Sequence, residues 1–394
     1  MTIYGYINDA STKERLIGAV IRIGGTDRGA ITNGYGFFSL PDVVLPVVEL
    51  RVTYIGYESK RIVVRSAEWN NKPLDVQLCR SEIAAGEVVI EADRDRSHTL
   101  STEMGVVSVP IQQIQSLPSV GGEVDLLKAM QLYSGVSSGQ ELSNGIFVRG
   151  GNFDQNLFLL DGVTIYNPNH LFGFFSVFNM DAIKSAELIK GGFPAEYGGK
   201  LSSIISFAMN EGDLEHTVLK GGVSLIACRL SVEGPWSSEK QGSYLVSARR
   251  SYLDPAFKSK TLDDAGTNAF YIFDLTAKMN YTVTDDDRVY LSAYFGRDNF
   301  THGESGLNQT LFDMNLIWGN QAYNFRWNHL WSSRLFSNLS LVYSDYFSKQ
   351  STSLYSLISA KEPSVKDLSL KADGEFWIAD NQSLLFGGAI IDHR

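Results

Sequence analysis

The feature that most constrains the fold is the set of long, alternating strand-like runs between about residue 213 and residue 394. Several of these runs have 12 or more residues, whereas strands of soluble sheets usually have about 5 or 6. Short polar turns, such as those at 284–288 and 331–334, alternate with longer polar connections. This alternation is typical of an outer-membrane β-barrel, which has short turns on one side of the membrane and long loops on the other.

Side chains within these runs alternate in polarity. In LFSNLSLVYSDY, Leu339 and Leu341 share one face of the strand, and Asn338 and Ser340 share the other. The apolar face suits lipid and the polar face a wet lumen, although a soluble sandwich also buries one face of each strand. Aromatic residues near the strand ends fit the interfacial girdles of a barrel, with packing in a sheet core as the alternative. These residues are Tyr252, Tyr281, Trp331 and Trp377.

Composition argues against several classes of function. The net charge of -10, with no basic block, argues against a nucleic-acid partner. The two cysteines, Cys79 and Cys228, lie in different predicted domains, which disfavours a disulfide framework or a zinc site. The histidines form no HExxH motif, and no serine lies in a GxSxG motif. We therefore expect no metal site, no cofactor and no enzymatic activity.

Residues 1–80 contain six short β-rich runs, separated by Gly, Asn, Asp and Pro at roughly ten-residue spacing. The pattern predicts a small antiparallel β-sandwich. Asn33, Gly34 and Gly36 fall where a tight turn favours positive φ. Because no cluster of histidines, cysteines or carboxylates occurs here, we interpret this domain as a binding or spacer module.

A linker of mixed charge, residues 81–102, follows the sandwich and contains one β-prone patch, EVVIEA. The patch is either one more edge strand of the sandwich or an extended peptide that adds a strand to a partner's sheet. Composition leaves both interpretations open. The patch comprises Glu87, Val88, Val89, Ile90, Glu91 and Ala92.

Residues 103–212 are predicted to form a compact mixed α/β domain. The segment GEVDLLKAMQLYSGV indicates a helix that ends at Gly135, and NMDAIKSAELIKGG begins like a second helix with Asn179 or Asp181 as its cap. The apolar side of the first helix is predicted to comprise Leu126, Leu127, Met130 and Leu132.

Glycine turns divide this domain. The segment RGGNFDQN has neither the spacing nor the following helix of a nucleotide-binding loop. Gly150, Gly151 and Gly162 instead allow tight turns where backbone segments approach closely. Arg149 and Asp161 are then expected to be partly buried charges, paired either with each other or with a neighbouring wall.

The segment FVRGGNFDQNLFLLDGVTIYNPNHLFGFFSVFNMDAIKSAELIKGGFPAEYGGKLSSIISF, residues 147–207, resembles the plug domain of TonB-dependent outer-membrane receptors of the Bacteroidetes type. Its RGG turn, LLDG turn, IKGGFPAEYGG segment and LSSII strand occur in that order. Residues 3–80 resemble the carboxypeptidase-regulatory-like domain that often precedes such plugs, and residues 213–394 resemble the first part of the family's barrel. No signal peptide is evident and the chain stops within a strand-like run, so we expect either a fragment of a longer receptor or a start and stop that do not mark the mature protein.

The resemblance implies a mainly β fold: a small N-terminal β-sandwich, an α/β plug domain, and about nine strands of an antiparallel transmembrane β-barrel. It implies TonB-dependent import of a nutrient across the outer membrane, with the plug gating the barrel. The expected partners are the TonB energy-transducing complex, outer-membrane lipid and a small ligand such as a siderophore, cobalamin, a glycan or a peptide. The sandwich and a TonB box at residues 87–92 would be periplasmic. A non-transporting surface binding or adhesion protein is the alternative.

The resemblance also implies roles for individual plug residues. The loop YNPNHLFGFFSVFN is expected to approach the lumen or the outer face, where aromatic rings and amides could contact a ligand; packing within the plug is the alternative. The candidate ligand-facing residues are Tyr166, Asn167, Asn169, His170, Phe172, Phe174 and Phe175. The candidate structural residues of the plug turns are Arg149, Gly150, Gly151, Asp161, Gly162, Gly191, Gly192, Tyr197, Gly198 and Gly199.

Overall fold

The computed structural model contains far more strand than helix. It describes residues 1–81, 105–109, 111, 114, 122–139, 144–252, 268–306, 309–355, 357–379 and 382–394. Within these ranges, no helix is long and apolar enough to cross a membrane.

The N-terminal domain is a sandwich of two sheets with strand orders β4-β1-β7 and β3-β2-β5-β6. Alternate residues such as Ile7, Ile21 and Leu50 fill the core between the sheets. All six predicted runs contain strands, but β1 and β7 are parallel, so the sandwich is not wholly antiparallel. The parallel pair arises because the chain passes through the second sheet before returning to the first. The strands are β1 (Ile3–Asp9), β2 (Val20–Ile23), β3 (Gly29–Ile31), β4 (Phe37–Leu40), β5 (Val47–Thr53), β6 (Lys60–Arg65) and β7 (Leu74–Leu78).

The central domain contains a five-stranded sheet of order β12-β11-β16-β15-β8 and two small hairpins, β9-β10 and β13-β14. Its core includes Phe158, Phe178 and Phe207. The strands are β8 (Val106–Val109), β9 (Val136–Ser138), β10 (Ile146–Val148), β11 (Asn156–Leu160), β12 (Val163–Thr164), β13 (Asn169–His170), β14 (Phe175–Ser176), β15 (Ile183–Ile189) and β16 (Ser203–Met209).

Helix is shorter than predicted in the central domain. The helix α1 spans only Leu126–Met130 and is capped by the Asp125 carboxylate. Leu132 lies beyond its end and is 72% exposed, so the prediction that it shares the buried face is wrong. The second predicted helix is a single turn capped by Asn179; the chain then enters β15, where apolar residues pair within the sheet instead of lining a helix.

The described strands between Val218 and His393 form one large antiparallel sheet. Nine strands follow each other in chain order, and the short strand β24 pairs with β23 beside this path. The predicted number of about nine barrel-like strands is therefore confirmed. The strands are β17 (Val218–Val223), β18 (Ala227–Pro235), β19 (Gly242–Ser251), β20 (Asn268–Thr282), β21 (Asp287–Gly306), β22 (Gln309–Ser332), β23 (Leu335–Leu354), β24 (Leu357–Lys361), β25 (Ser364–Ala379) and β26 (Gln382–His393).

Two of the predicted long loops are instead extensions of strands. β21 and β22 remain paired as far as Gly306 and Gln309, and β23 continues to Leu354 before β24 folds back on it. These segments were predicted to be loops because their residues are polar, but their backbones continue to pair as strands. The predicted loop at 254–268 lies almost entirely outside the described residues.

The large sheet has two distinct ends. We call the end with the turns at 236–241, 283–286 and 333–334 the short-turn end, and the opposite end the far end. Strands β19 to β23 and β25 hydrogen-bond to the central domain through their polar faces; the contacts include Ser247 with Asn179 and Lys371 with the Gly162 carbonyl. The sheet therefore wraps around the central domain as part of a barrel would.

Candidate functional site between the central domain and the large sheet

Asp161 is the first point at which the central domain is anchored to the large sheet. It lies in the turn between β11 and β12, with φ of 48°. Its carboxylate is 2.8 Å from the Lys278 ammonium and accepts a hydrogen bond of 2.6 Å from Ser292. Burial opposes ionisation of Asp161, but Lys278 and Arg326 outweigh burial and hold the pKa of the carboxyl below its ordinary value.

Asp161 therefore meets the neighbouring wall, which was one of the two predicted alternatives. Arg149 does not pair with it. Arg149 is exposed rather than partly buried, because the turn after β10 projects from the domain, and its guanidinium lies beside Gly191. The prediction of a partly buried charge is thus wrong for Arg149.

The other predicted turn residues lie in turns or at close backbone contacts. A Cβ atom on Gly151 would lie 2.3 Å from the Ser202 hydroxyl oxygen, so this position requires close approach. Tyr197 packs partly buried beside Ile189 and Ile204, whereas Gly198 has open space around it and ordinary φ. Positive φ occurs at Gly150, Gly162, Gly191, Gly192 and Gly199.

His170 is the second anchor and lies nearer the far end. Its side chain is 1% exposed, with Nδ1 2.5 Å from Asp298 and Nε2 2.6 Å from Asp274. Because both ring nitrogens face carboxylates, the arrangement favours the doubly protonated imidazolium. Burial alone would lower the pKa of His170, but the two aspartates raise it to about 9.

Arg249 completes this charge cluster. Its guanidinium is 2.6 Å from the Asp274 carboxylate and donates a 2.7 Å hydrogen bond to the Ser176 carbonyl. Two cations therefore balance two carboxylates in a buried site, with His170 from the central domain and the other three charges from the large sheet. Removal of any one member would leave an uncompensated buried charge, which is costly.

The predicted ligand-facing loop divides into buried and exposed residues. His170 and Phe175 are buried, so the structure contradicts a ligand-facing position for either; the wall aspartates cover His170, and Phe175 packs with Ile272. Tyr166 donates a hydrogen bond to Asp367 of β25.

Two further members of the loop also make internal contacts. The Asn167 carbonyl accepts a 2.7 Å hydrogen bond from Asn320 of the wall. Phe174 packs edge-on against Phe175, and the Lys128 ammonium lies 4.7 Å from the centroid of the Phe174 ring. These contacts indicate that much of the loop holds the central domain in place.

Phe172 differs from its neighbours because it is presented outward. Leu171 and Phe172 both have left-handed φ, 51° and 56°, which costs a residue other than glycine roughly 1–2 kcal/mol. Strain of this kind persists where surrounding contacts fix the backbone and often marks a functional site. Here the backbone of Leu171 and Phe172 is fixed by the buried His170 and by the 2.9 Å hydrogen bond from the Leu171 amide to Asp298. Phe172 remains 69% exposed.

Aromatic rings and a cavity flank Phe172. The ring centroids of Trp318, Phe300 and Phe270, from three neighbouring strands, lie 5.0, 6.0 and 6.2 Å from that of Phe172. Phe270 and Phe300 lie nearer the far end than Asp274 and Asp298, and Trp318 lies opposite Asp298 in the strand register. Phe172 also lines a cavity of about 300 Å³, and none of the described side chains that line it is charged. The cavity is lined by Gly139, Gly145, Phe147, Phe153, Asn169, Phe172 and Gly173.

Sequence reasoning missed the wall residues of this site. Asp274 and Asp298 lie within strands and on the polar face, where an acidic side chain needs a cationic partner. That placement was a usable signal. The predicted TonB box at residues 87–92 lies outside the described residues.

Comparison with known families identifies the first two domains. Residues 3–90 match the CarboxypepD_reg-like domain, and residues 99–203 match the TonB-dependent Receptor Plug Domain. No curated protein matches the sequence.

Solved structures resemble this chain at low sequence identity. A mutant of the ferric enterobactin receptor PfeA of Pseudomonas aeruginosa is 13% identical, with 75% of this chain and 58% of that chain covered and a TM-score of 0.41. The siderophore receptor PirA of Pseudomonas aeruginosa is 16% identical, with 74% of this chain and 57% of that chain covered and a TM-score of 0.38. The copper transporter OprC is 10% identical, with 73% of this chain and 55% of that chain covered and a TM-score of 0.50.

This chain thus spans little more than half the length of these solved structures. Its central domain, with the Asp161 and His170 anchors, coincides with the matched plug segment. The chain therefore carries a CarboxypepD_reg-like domain followed by the plug domain of a TonB-dependent receptor, enclosed by an antiparallel sheet that resembles part of a barrel.

Proposed function

We propose that this chain belongs to a receptor that imports a small nutrient across the bacterial outer membrane, driven by TonB. The observation that carries the proposal is the plug itself, held inside the sheet by buried polar contacts at successive levels from Asp161 to His170. A domain that fills a lumen in this way closes it. Outer-membrane barrels have short periplasmic turns and longer outer loops, so the short-turn end is assigned to the periplasm and the far end to the outside.

The chemistry of the plug–wall contact supports a plug that moves. Its anchors are ion pairs and hydrogen bonds, such as Lys278 with Asp161 and Asp298 with His170. Buried ion pairs contribute little net stability compared with apolar packing, but they fix one arrangement. Water entering the lumen can replace polar partners one at a time, whereas an apolar interface offers water no such exchange. The contact therefore suits a plug that is well placed at rest yet can be remodelled.

The far end of the plug supplies the proposed ligand contact. Phe172 is exposed beside an aromatic wall and a cavity whose described lining carries no charge, and Asn169 adds an amide to that lining. Aromatic faces contribute large contact area at low entropic cost. Of the seven predicted ligand-facing residues, Phe172 and Asn169 have the surroundings that best fit this role. Phe172→Ala is expected to lower affinity for the imported nutrient at least tenfold and to leave plug stability unchanged, since the side chain is mostly exposed.

TonB is proposed to bind the segment Glu87 to Ala92 as an added strand, because an extended β-prone peptide pairs readily with a sheet edge. The segment joins the sandwich to the plug in the chain. Tension on it would therefore reach both domains.

Deletion of Val88–Glu91 tests the coupling. The deletion is expected to abolish nutrient import and binding of the periplasmic TonB domain, while nutrient binding at the cell surface persists. Deletion of four residues from the same linker, 93–96, is the matched control and should preserve import. Import that continued after deletion of Val88–Glu91 would contradict the TonB assignment. Import that continued after collapse of the proton gradient would instead favour a receptor without energy coupling.

A further inference from the structure

The sandwich inserts aromatic side chains into the short-turn end of the lumen. Tyr4 and Phe37 form a buried cluster with Leu330, Phe336 and Trp377 of the large sheet. The Phe37 ring centroid is 5.5 Å from that of Phe336 and 5.3 Å from that of Trp377. Phe336 and Trp377 lie on the same strand faces as Ser344 and Lys371, which contact the plug. The cluster is therefore inside the lumen and not on the outer surface of the sheet.

Strand β4 carries a second sign of this contact. All four of its residues are buried, although only Phe38 and Leu40 belong to the sandwich core. Phe37 and Ser39 point the other way, towards the large sheet. A strand in a free sandwich would bury one face only. The burial of both faces thus depends on docking.

Polar contacts hold the sandwich to the rim of the sheet. The Ser39 hydroxyl donates a 2.7 Å hydrogen bond to the Ser333 carbonyl. Asp42 and Arg334 form an ion pair of 2.6 Å, and the Asn33 amide is 3.3 Å from the Glu375 carboxylate. The rim contacts therefore extend around the aromatic cluster.

The sandwich also holds the plug directly. The Glu14 carboxylate accepts a 2.7 Å hydrogen bond from the Glu211 amide and lies 3.3 Å from the Lys184 ammonium. Lys184 is also 3.4 Å from the Glu211 carboxylate, so two carboxylates share one buried cation. Burial alone would lower the pKa of Lys184, but Glu14 and Glu211 raise it, which keeps the cation charged.

From these contacts we infer that the sandwich is a cap on the inner mouth of the lumen, and that it must undock before anything passes this part of the wall. The inference rests on the proposed function, because it assigns the sandwich a step in the same import cycle. The sandwich contacts the wall and the plug at the same time: it packs against Phe336 and Trp377 of the wall, and its Glu14 pairs with Lys184 of the plug. Plug movement near Lys184 therefore breaks contacts of the sandwich as well.

The test measures the reactivity of a cysteine placed beneath the docked cap. Ser39→Cys is introduced into the full-length receptor with Cys79 and Cys228 replaced by serine, since both native thiols are exposed. Growing cells are treated with N-ethylmaleimide, and the labelling rate is followed. Ser39 is 2% exposed in the docked state. We expect labelling at least tenfold faster in energised cells than in cells given a protonophore or cells whose receptor lacks Val88–Glu91.

Two further variants make the result specific. Ala19→Cys lies in the core of the sandwich itself, so it should stay protected throughout if the sandwich undocks without unfolding. Phe336→Ala combined with Trp377→Ala removes both aromatic wall residues of the cluster and leaves the sandwich sequence intact. This double variant is expected to raise the labelling rate of Ser39→Cys at least tenfold even without energy.

Equal labelling of Ser39→Cys in energised and de-energised cells would overturn the inference, whether the thiol is always protected or always reactive. Parallel exposure of Ala19→Cys would overturn it too, because the sandwich would then unfold rather than undock. These outcomes differ from failure of the proposed function. A receptor that imports its nutrient yet never exposes Ser39 refutes the cap alone, whereas one that neither binds TonB nor imports refutes the function.

Discussion

Replacement of His170 by glutamine tests the buried imidazolium most directly. Glutamine keeps a hydrogen-bond donor but has no charge, so it imitates the neutral ring between Asp274 and Asp298. The pKa of His170 rises from an ordinary value of 6.5 to about 9 in the folded protein. At 1.36 kcal/mol per pKa unit, this difference corresponds to roughly 3 kcal/mol. His170→Gln is expected to lower the free energy of unfolding of the plug by about that amount.

The pH dependence follows from the direction of the shift. The pKa of His170 is higher in the folded state than in the unfolded state, so its stabilisation is complete below pH 6.5 and is lost as pH rises through about 9. At pH 7 the wild-type plug should be the more stable of the two proteins. At pH 10 the wild-type ring is mostly neutral, so the difference between wild type and His170→Gln should largely disappear.

Urea unfolding in outer-membrane vesicles provides the measurement. The thiol of Ala182→Cys, at a fully buried plug position, reports unfolding by its reactivity in a chain without the native cysteines. Urea slopes of about 1–3 kcal/mol per molar convert a loss of roughly 3 kcal/mol into a midpoint shift of about 1–3 M at pH 7.

Tyr166→Phe is the matched control in the same loop. It loses the hydrogen bond to Asp367. Burial and Asp367 raise the pKa of Tyr166, so its hydroxyl stays protonated and the loss should be the same at pH 7 and pH 10. A midpoint difference between wild type and His170→Gln that was equal at both pH values would refute the charged ring.

Three further perturbations follow from the structure. Asp161→Asn leaves Lys278 buried without its anionic partner and is expected to destabilise the plug by about 3–5 kcal/mol in the same thiol assay; a loss below about 1 kcal/mol would contradict the anchor role. Gly212 has a φ of +88°, and a Cβ atom there would lie 2.3 Å from the Tyr244 carbonyl oxygen. Gly212→Ala should therefore sharply reduce the amount of folded receptor in the outer membrane, measured as loss of the heat-modifiable band on a gel. Tyr355→Gly, at an exposed hairpin position with φ of 52°, should stabilise the large sheet by up to about 1 kcal/mol in thermal unfolding, since glycine relieves the left-handed strain at a smaller entropic cost.

Local sequence patterns predicted much of the fold because local interactions determine it. Alternation of polarity located the long strands, and the tight turns at 284–288 and 331–334 were expected from their polar residues. The turn at Asn33 also formed, with the Asn33 side chain accepting bonds from the Tyr35 and Phe37 amides. Of the three positions predicted to favour positive φ, only Gly36 has it; Asn33 and Gly34 do not.

Errors arose where distant packing outweighed local preference. The segment after Asn179 has helical spacing, but pairing with β16 draws it into the sheet. His170 was grouped with ligand-facing residues because its partners lie more than 100 residues away along the chain. Phe172 was predicted for the right loop, but its exposure depends on two left-handed residues, which no local pattern of leucine and phenylalanine indicates.

The position of β8 determines where tension on the linker would first act. β8 is the first described strand after the linker, and it lies at the edge of the plug sheet, where β15 is its one partner among the described strands. Detaching an edge strand breaks one ladder, whereas β16 in the interior is held by two. If TonB pulls on the linker as proposed, Val106–Val109 would therefore detach first, while Asp161 and His170 still hold the remainder of the plug to the wall. Such peeling would leave most of the plug attached to the wall, and the detached strand would remain close enough to pair again when the tension ends.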